Sequence, residues 1–321
     1  MIEHIEKQLT VPRELHSQRI DAVIAQMLPE YSRSLISTWI KTGAARVNNK
    51  NCKPKDKALA GDLIDIKVEF VLQETDFNQC AAEDIPIDIV FEDDEVIVLN
   101  KPAGLVVHPG AGNREHTLVN ALLHHAPSLQ HLPRAGIIHR LDKDTTGLLI
   151  VAKTLTAHTF LIRQMQARDI QRNYITLVQG HVIAGGTVDT GFGRHPKNRL
   201  KMSVIGQGRQ AVTHYTVNRQ YHDFTLLDVS LETGRTHQIR VHLAHINHPV
   251  VGDQLYAGRM RLPLNASDEL RTALQQFKRQ ALHAVSISFA HPVTKEELTF
   301  EAPIPDDFEL LLTNLDEHYG Y

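Results

Sequence analysis

The run His139-Arg140-Leu141-Asp142-Lys143-Asp144-Thr145-Thr146-Gly147 sets four charged residues and two hydroxyls in nine positions, then passes straight into Leu148-Leu149-Ile150-Val151-Ala152. A polar turn that runs into an apolar stretch of strand length is how a fold holds reactive side chains at the edge of a sheet. Gly147 lets the backbone turn sharply into that strand. Asp142 then sits on a short, stiff connection, aimed out of the sheet. Such a carboxylate either acts chemically, as nucleophile or base, or braces the turn through its side chain, as many loop aspartates do.

Three chemistries can be weighed on these residues. His139-Arg140-Leu141-Asp142 has the outline of a kinase catalytic loop, but that loop reads H-R-D with an Asn further on. No glycine-rich phosphate loop and no D-F-G occur, which excludes phosphoryl transfer of that type. Twenty histidines, with His242, His245 and His248 at intervals of three, raise the question of a metal. Zinc needs further ligands and a supporting shell, no H-E-x-x-H occurs, and histidines on a wet helix face are the commoner cause, so no metal is expected. An RNA-binding module without catalysis explains the basic stretches described below. It leaves the Asp142 loop, Arg235 and most of the chain without a purpose.

The elements that position these residues follow from periodicity. Ile20, Val23, Ile24 and Met27 share a helical face over 19–28, and a second helix after Ser32, a suitable N-cap, buries Ile36, Trp39 and Ile40 and stops at Gly43. Val47-Asn48-Asn49-Lys50 reads as a tight turn between strands and Leu63 to Val68 as a strand. Between residues 32 and 57, Arg33, Lys41, Arg46, Lys50, Lys53, Lys55 and Lys57 face one acid, Asp56. Such a run is usually a solvated face, but in so compact a unit it suggests a phosphate-facing patch. Leu72 to Glu83 is polar and aperiodic and marks the junction between two domains. Strands follow at Ile87 to Phe91 and Val96 to Leu99, with Lys101-Pro102 ending the hairpin and Gly104, Pro109, Gly110 and Gly112 in an irregular loop. A helix capped by Thr154 carries Ala157, Leu161 and Met165 on one face. Tyr174 to Val178 is a strand closed by Gly180.

Residues 185–209 read as a long, glycine-rich loop, with Arg194, Lys197, Arg199, Lys201 and Arg209 against Asp189 alone, a composition suited to a polyanion. Strands at 211–218 and 224–231 precede a helix from Arg235, with Ile239, Leu243 and Ile246 inward and Arg235, Gln238, His242 and His245 on another face. Strands Leu282 to Phe289 and Leu298 to Glu301 and a terminal helix opening on Asp306, Asp307 and Glu309 complete the chain.

The totals are those of a globular protein: 321 residues, 42% hydrophobic, 22% charged, net charge −3. No apolar run is long enough to span a membrane, and Met1-Ile2-Glu3-His4-Ile5-Glu6 lacks the order of a secretory signal. Two cysteines, Cys52 and Cys80, imply no disulfide framework, so a reducing cytoplasm is expected.

Tyr31-Ser32-Arg33-Ser34, Trp39-Ile40, Val47-Asn48-Asn49-Lys50 and Gly61-Asp62-Leu63-Ile64 resemble the S4 RNA-binding domain, in which two helices and a small sheet present basic residues to structured RNA. The Asn-Gly turn usual there is Asn48-Asn49 here. His139 to Leu149 is similar to the H-R-L-D-x-x-T-S/T-G-L signature of the RluA family of pseudouridine synthases. Arg172-Asn173-Tyr174 resembles that family's second motif, Thr233-Gly234-Arg235-Thr236-His237-Gln238-Ile239-Arg240-Val241-His242 its third, and Asn100-Lys101-Pro102-Ala103-Gly104-Leu105 an early one. The motifs stand in the family's order over residues 85–303, behind the S4-like unit.

The resemblance implies an α+β fold: a mixed, mostly antiparallel sheet flanked by helices, at 84–321, joined by a linker at 76–83 to a small S4-like α/β domain at 11–75. It implies isomerisation of uridine to pseudouridine in RNA, a bond exchange within one substrate that needs neither hydride carrier nor ATP, so no cofactor is expected. Asp142 becomes the carboxylate that either attacks C1′ or takes the C2′ proton, Arg235 its forked partner, and Tyr174 the ring beneath the displaced base, its hydroxyl a candidate acceptor for the C5 proton. Arg140 would fill the gap left by the flipped nucleotide. Arg33, Lys41, Arg46 and Lys50 of the first unit and Arg194, Lys197, Arg199 and Lys201 of the second would grip phosphates. The segments around Arg194-His195-Pro196, Ala211 to Tyr215 and Ile246 to Asp253 resemble the branch that acts on a hairpin of 23S ribosomal RNA in the large subunit, alone or within a pre-ribosomal particle. Sister branches carry the same S4 unit and modify other uridines, so the target stays open. A monomer is expected.

Overall fold

The computed structural model describes residues 2–28, 31, 33–71, 80–110, 113–198, 200–258, 260 and 262–321. The expected N-cap Ser32, Gly112, Arg199 and residues 72–79 of the expected junction lie outside the described residues.

The first unit runs β1 (Ile2–Thr10), α1 (Ile20–Met27), α2 (Arg33–Thr42), β2 (Ala45–Val47) and β3 (Leu63–Val71). The strands form an antiparallel sheet in the order β1-β3-β2, with Ile64 paired to Leu9 on one side and Val47 on the other. Strand β1 therefore adds residues 2–10 to a unit that the sequence pattern starts at 11. Helices of 8 and 10 residues are too short to persist alone. Burial holds them: Ile20, Val23, Ile24, Ile36, Ile40, Ile64 and Ile66 are each at most 1% exposed, and each contributes about 1.5–3 kcal/mol over an exposed position. Asn48 and Asn49 are both left-handed, as a tight turn there demands.

The second unit runs β4 (Asp88–Glu92), β5 (Val96–Lys101), α3 (Leu118–His125), β6 (Thr146–Ala152), α4 (Leu155–Ala167), β7 (Gln171–Gln179), β8 (Gly186–Arg194), β9 (Met202–Val204), β10 (Arg209–Gln220), β11 (Phe224–Leu231), α5 (Gln238–His245), α6 (Asp268–Gln276), β12 (Leu282–Ala290), β13 (Glu297–Glu301) and α7 (Asp306–Tyr319). Its ten strands form one sheet in the order β4-β5-β6-β12-β7-β11-β10-β8-β9, with β13 on β12. Among the described strands, only β6 and β12 pair in parallel. Every residue of β6 is buried. Leu149 and Val151 enter the core shared with α3 and α7, whereas Leu148, Ile150 and Ala152 enter the one shared with α4. Helices on both faces are why this strand reads as an unbroken apolar run. Residues 80–83 of the expected linker are already tied to α3, through Asn120 Nδ2 to Ala81 O and Glu83 N to Asn120 O.

Residues 185–209 are not the irregular loop that their composition suggests. Strand β8 pairs with β10 and turns back through β9, leaving only a short connection between Arg194 and Met202. The glycines serve close packing rather than irregularity: a Cβ at Gly191 would lie 2.2 Å from Ile205 O, and one at Gly208 2.2 Å from Phe192 N.

Candidate active site

The Asp142 loop is tied down from several elements before it reaches β6. Gly147 enters the strand at φ +110, where a Cβ would stand 2.3 Å from Ala284 O of β12; no other residue type fits. Buried Lys101, at the end of β5, donates to the carbonyls of Pro102 at 2.7 Å, Leu105 at 3.0 Å and Lys143 at 2.9 Å. Gln280 Nε2 donates to Thr145 Oγ1 at 3.0 Å, and Thr146 Oγ1 bonds His283 Nδ1 at 2.8 Å. His139 points inward and its Nε2 accepts from Ile150 N. Burial, with the Arg172 charge adding to it, pushes that imidazole down to about 3, so it is neutral structural filling. Asp142, two residues beyond Arg140, is thus delivered on a loop with little freedom.

Its carboxylate takes a partner that the sequence reading did not assign. Arg240 Nη1 donates to Asp142 Oδ2 at 2.8 Å, and the rest of that guanidinium forks onto Asp253, Nε to Oδ2 at 2.7 Å and Nη2 to Oδ1 at 2.9 Å. Asp253 is fixed in turn by the backbone N–H groups of Leu255 and Tyr256. Burial disfavours the Arg240 charge, but the bonds and charges of Asp253 and Asp142 outweigh it and hold the guanidinium more firmly protonated than usual. Asp142 Oδ1 has no hydrogen bond among the described residues and faces the cleft; the nearest ring nitrogen, His237 Nε2, is 3.9 Å away.

The expected pair between Asp142 and Arg235 does not form. Arg235 is exposed on the cleft rim, its Nε toward Gln210 O at 3.4 Å and its backbone N on Gln238 Oε1 at 3.0 Å. The reason lies in where α5 begins. His237 adopts a left-handed conformation, φ 59, so the helix starts at Gln238 rather than Arg235. That start turns Arg240 inward and leaves Arg235 outside. Gln238 and His242, expected on a wet face, are also buried. His242 bonds Thr213 Oγ1 at 2.9 Å and Thr190 Oγ1 at 3.1 Å, which gives this histidine a structural task.

The cleft has a volume of about 740 Å³ and brings together Asp142, Tyr174, Arg240 and His237. Arg134, Arg140, Arg168, Arg172 and Arg235 also line it, a positive border suited to a polyanion. Tyr174, from β7, is 5% exposed, and burial pushes its phenol upward, with Arg172 opposing and Asp142 adding. Arg194 and Lys197 are exposed beside β8, and Lys201 Nζ lies 5.9 Å over the Tyr256 ring. In the first unit Lys41, Arg46 and Lys50 are exposed. Arg33 is already engaged: its Nη2 pairs with Asp21 Oδ1 at 2.8 Å.

Residues 95–245 match the family described as RNA pseudouridylate synthase, and residues 18–64 match the S4 domain. The chain is 50% identical over 317 residues to ribosomal large subunit pseudouridine synthase D of Haemophilus influenzae, covering 97% of each chain. It is 48% identical over 311 residues to the protein of that name from Xanthomonas campestris, covering 97% of this chain and 93% of the relative. Among solved structures, human RNA pseudouridylate synthase domain containing 4 superposes with a TM-score of 0.55 at 26% identity, over 71% of this chain and 92% of that one. With motifs, fold and near full-length relatives in agreement, the chain belongs to the RluA-type RNA pseudouridine synthases that carry an S4 domain, a family of isomerases.

Proposed function

We propose that this enzyme converts uridines of large-subunit ribosomal RNA into pseudouridine, and that Asp142 does the chemistry. The observation that carries the reading is an aspartate with one oxygen pinned by a buried guanidinium and the other turned to an arginine-bordered cleft. The name of the relatives supports the choice of RNA.

The reaction breaks C1′–N1, turns the uracil over, joins C1′ to C5, and exchanges the proton on C5 for one on N1, so no external reactant is consumed. Asp142 acts ionised, by attack at C1′ or by removal of the C2′ proton, and Arg240 aims it. Pulling the uridine from its stack costs roughly a few kcal/mol. Arg140, exposed on the cleft rim, is suited to occupy the gap, and phosphate contacts from the cleft arginines, Lys197 and Lys201 offset the cost. Tyr174 supports the turned base through its ring. Its hydroxyl is the candidate acceptor for the C5 proton. Residues 11–75, extended by β1, grip structured RNA, 76–83 connect, and 84–321 carry the chemistry. The protein acts as a monomer in the cytoplasm; among the described residues no helix is long and apolar enough to cross a membrane.

The test is conversion of a 23S transcript. Purified enzyme is incubated with it and pseudouridines are mapped by carbodiimide-blocked primer extension. Modification at defined uridines is expected. A transcript left unmodified, while a transfer RNA pool is modified, would overturn the choice of RNA.

A further inference from the structure

His237 lines the cleft beside Asp142. Its placement is unusual. A non-glycine residue at φ 59 holds a side chain 20% exposed, with Nε2 3.9 Å from the uncommitted Oδ1 of Asp142. Tyr256 fixes the other ring nitrogen, Oη to Nδ1 at 2.8 Å. The same hydroxyl accepts from Met202 N at 2.8 Å, so its own hydrogen is left for Nδ1. Nδ1 is then the acceptor, and the proton of a neutral ring belongs on Nε2. Burial, against the pull of Asp142 and Asp253 and with the push of Arg240 and Arg140, keeps the ring uncharged.

A donor N–H and an acceptor oxygen therefore face the cleft 3.9 Å apart, too far for a direct bond. One oxygen can stand about 2.8 Å from both. To satisfy both it must accept from Nε2–H and donate to the carboxylate, which a hydroxyl does and a uracil carbonyl does not. On the reading that Asp142 acts at C1′ or C2′, the hydroxyl within reach is the one on C2′. We propose that His237 Nε2 and Asp142 Oδ1 together seat the 2′-hydroxyl of the target uridine, making His237 the residue by which the site selects ribose. The contact holds the reacting carboxylate beside the sugar carbons. Hydrogen bonds to a sugar 2-hydroxyl serve glycoside hydrolysis in a comparable way. The 2′-hydroxyl is also the group that distinguishes RNA from DNA.

The inference rests on the proposed reaction, and the experiment separates the two. Two stem–loops are made around one uridine that the enzyme modifies, with ribose or 2′-deoxyribose at that position. Wild type, His237→Asn and His237→Gln are compared by single-turnover rate, and by dissociation constant where no turnover occurs. Asn tolerates the left-handed backbone, but its amide reaches only the place of Nδ1. Gln carries its amide nitrogen to the place of Nε2. Wild type should lose roughly tenfold on the deoxy stem–loop. His237→Asn should lose a similar factor on the ribose stem–loop and little more on the deoxy one, and His237→Gln should recover part of the ribose preference. If both variants keep the wild-type preference, so that the two losses multiply, the seat is elsewhere. If wild type modifies neither stem–loop while remaining folded, the proposed reaction fails instead.

Discussion

The two units solve opposite problems with the same pair of residue types. In the S4 unit one buried acid serves two arginines. Asp21, 5% exposed, takes Arg19 and Arg33, both about half exposed. Burial alone would push its carboxyl up, but the two guanidinium groups outweigh this and hold it below the usual range. In the cleft one buried arginine serves two acids. Arg240 is saturated on one edge by Asp253 and offers a single nitrogen to Asp142. The first arrangement leaves no carboxylate oxygen uncommitted, since Arg33 bonds Oδ1 while Arg19 bonds both. The second leaves Asp142 Oδ1 open to a substrate. Aspartate next to arginine therefore says little about function; what matters is which partner is left with spare valence.

Removing the open oxygen's charge breaks the contrast most severely. Asp142→Asn should abolish conversion of a 23S transcript, with RNA affinity within a few-fold, because the phosphate contacts lie elsewhere. Measurable pseudouridine from that variant would show the carboxylate to be a brace after all. Changing the arginine comes next. In Arg240→Lys a single ammonium cannot fork onto Asp253 and still reach Asp142, so turnover should fall at least about a hundredfold. The exposed Arg235→Lys, which keeps the Asp142 pair intact, should stay within about threefold in kcat. Equal losses in the two variants would mean that the Arg240 pair has no special part in turnover.

Lys101 tests the loop that carries the open oxygen. Lys101→Met keeps the buried stem but leaves three carbonyls without a donor, at about 1–3 kcal/mol each. Loss of the contact to Lys143 O, beside Asp142, should lower turnover roughly tenfold. Burial pushes the ammonium down to about 7, with Asp144 and Asp142 opposing and Arg279 adding. From about pH 7 up to the ordinary lysine value, the unfolded chain holds a proton that the fold gives up. Wild-type stability from this group therefore rises with pH through that window, and the cost of burial is full below it. Urea unfolding should show a slope of at most about 1.4 kcal/mol per pH unit in wild type, absent in Lys101→Met. Parallel pH profiles would remove Lys101 as a buried cation of any consequence.

What the sequence made legible, and what it hid, divides along the range of the interactions. The buried strand β6, the hairpin β4–β5 and the helices of the first unit follow from local periodicity, and all stand near the expected positions. Asp142 and Tyr174 reach the same cleft because each sits on, or beside, such an element. The start of α5 was not legible, because the left-handed residue there is a histidine rather than the usual glycine or asparagine. The third motif holds both Arg235 and Arg240, and the resemblance put the pair on Arg235; the left-handed His237 turns Arg240 inward instead. Asp253 lies 13 residues beyond Arg240, and Lys143 lies 42 beyond Lys101; no local pattern announces either pairing. The glycines of 185–209 misled for a related reason, since a glycine needed for close approach across a sheet looks, one-dimensionally, like a glycine needed for a turn.

The mildest effect belongs to Arg33, and it bears on the other half of the contrast. Charge counting places Arg33 among the phosphate-binding residues with Lys41, but Asp21 already offsets part of its charge. Arg33→Ala should therefore weaken RNA binding less than about twofold, whereas a lysine that contacts phosphate should change the slope of affinity against salt by roughly 0.7 to 0.9 when removed. The stability lost with Arg33 should be small at neutral pH, since its side chain is half exposed and screened. The Asp21 contribution has the same sign as that of Lys101, stability rising with pH, but in the acid range: its depressed carboxyl stabilises the unit above the ordinary aspartate range and loses that effect as the pH falls through the lowered value. Salt titrations of Arg33→Ala and Lys41→Ala on one stem–loop decide the matter. If Arg33→Ala flattens the slope as much as Lys41→Ala, the arginine reaches RNA despite Asp21, and the S4 unit uses its acid to aim a cation much as the cleft uses a cation to aim its acid.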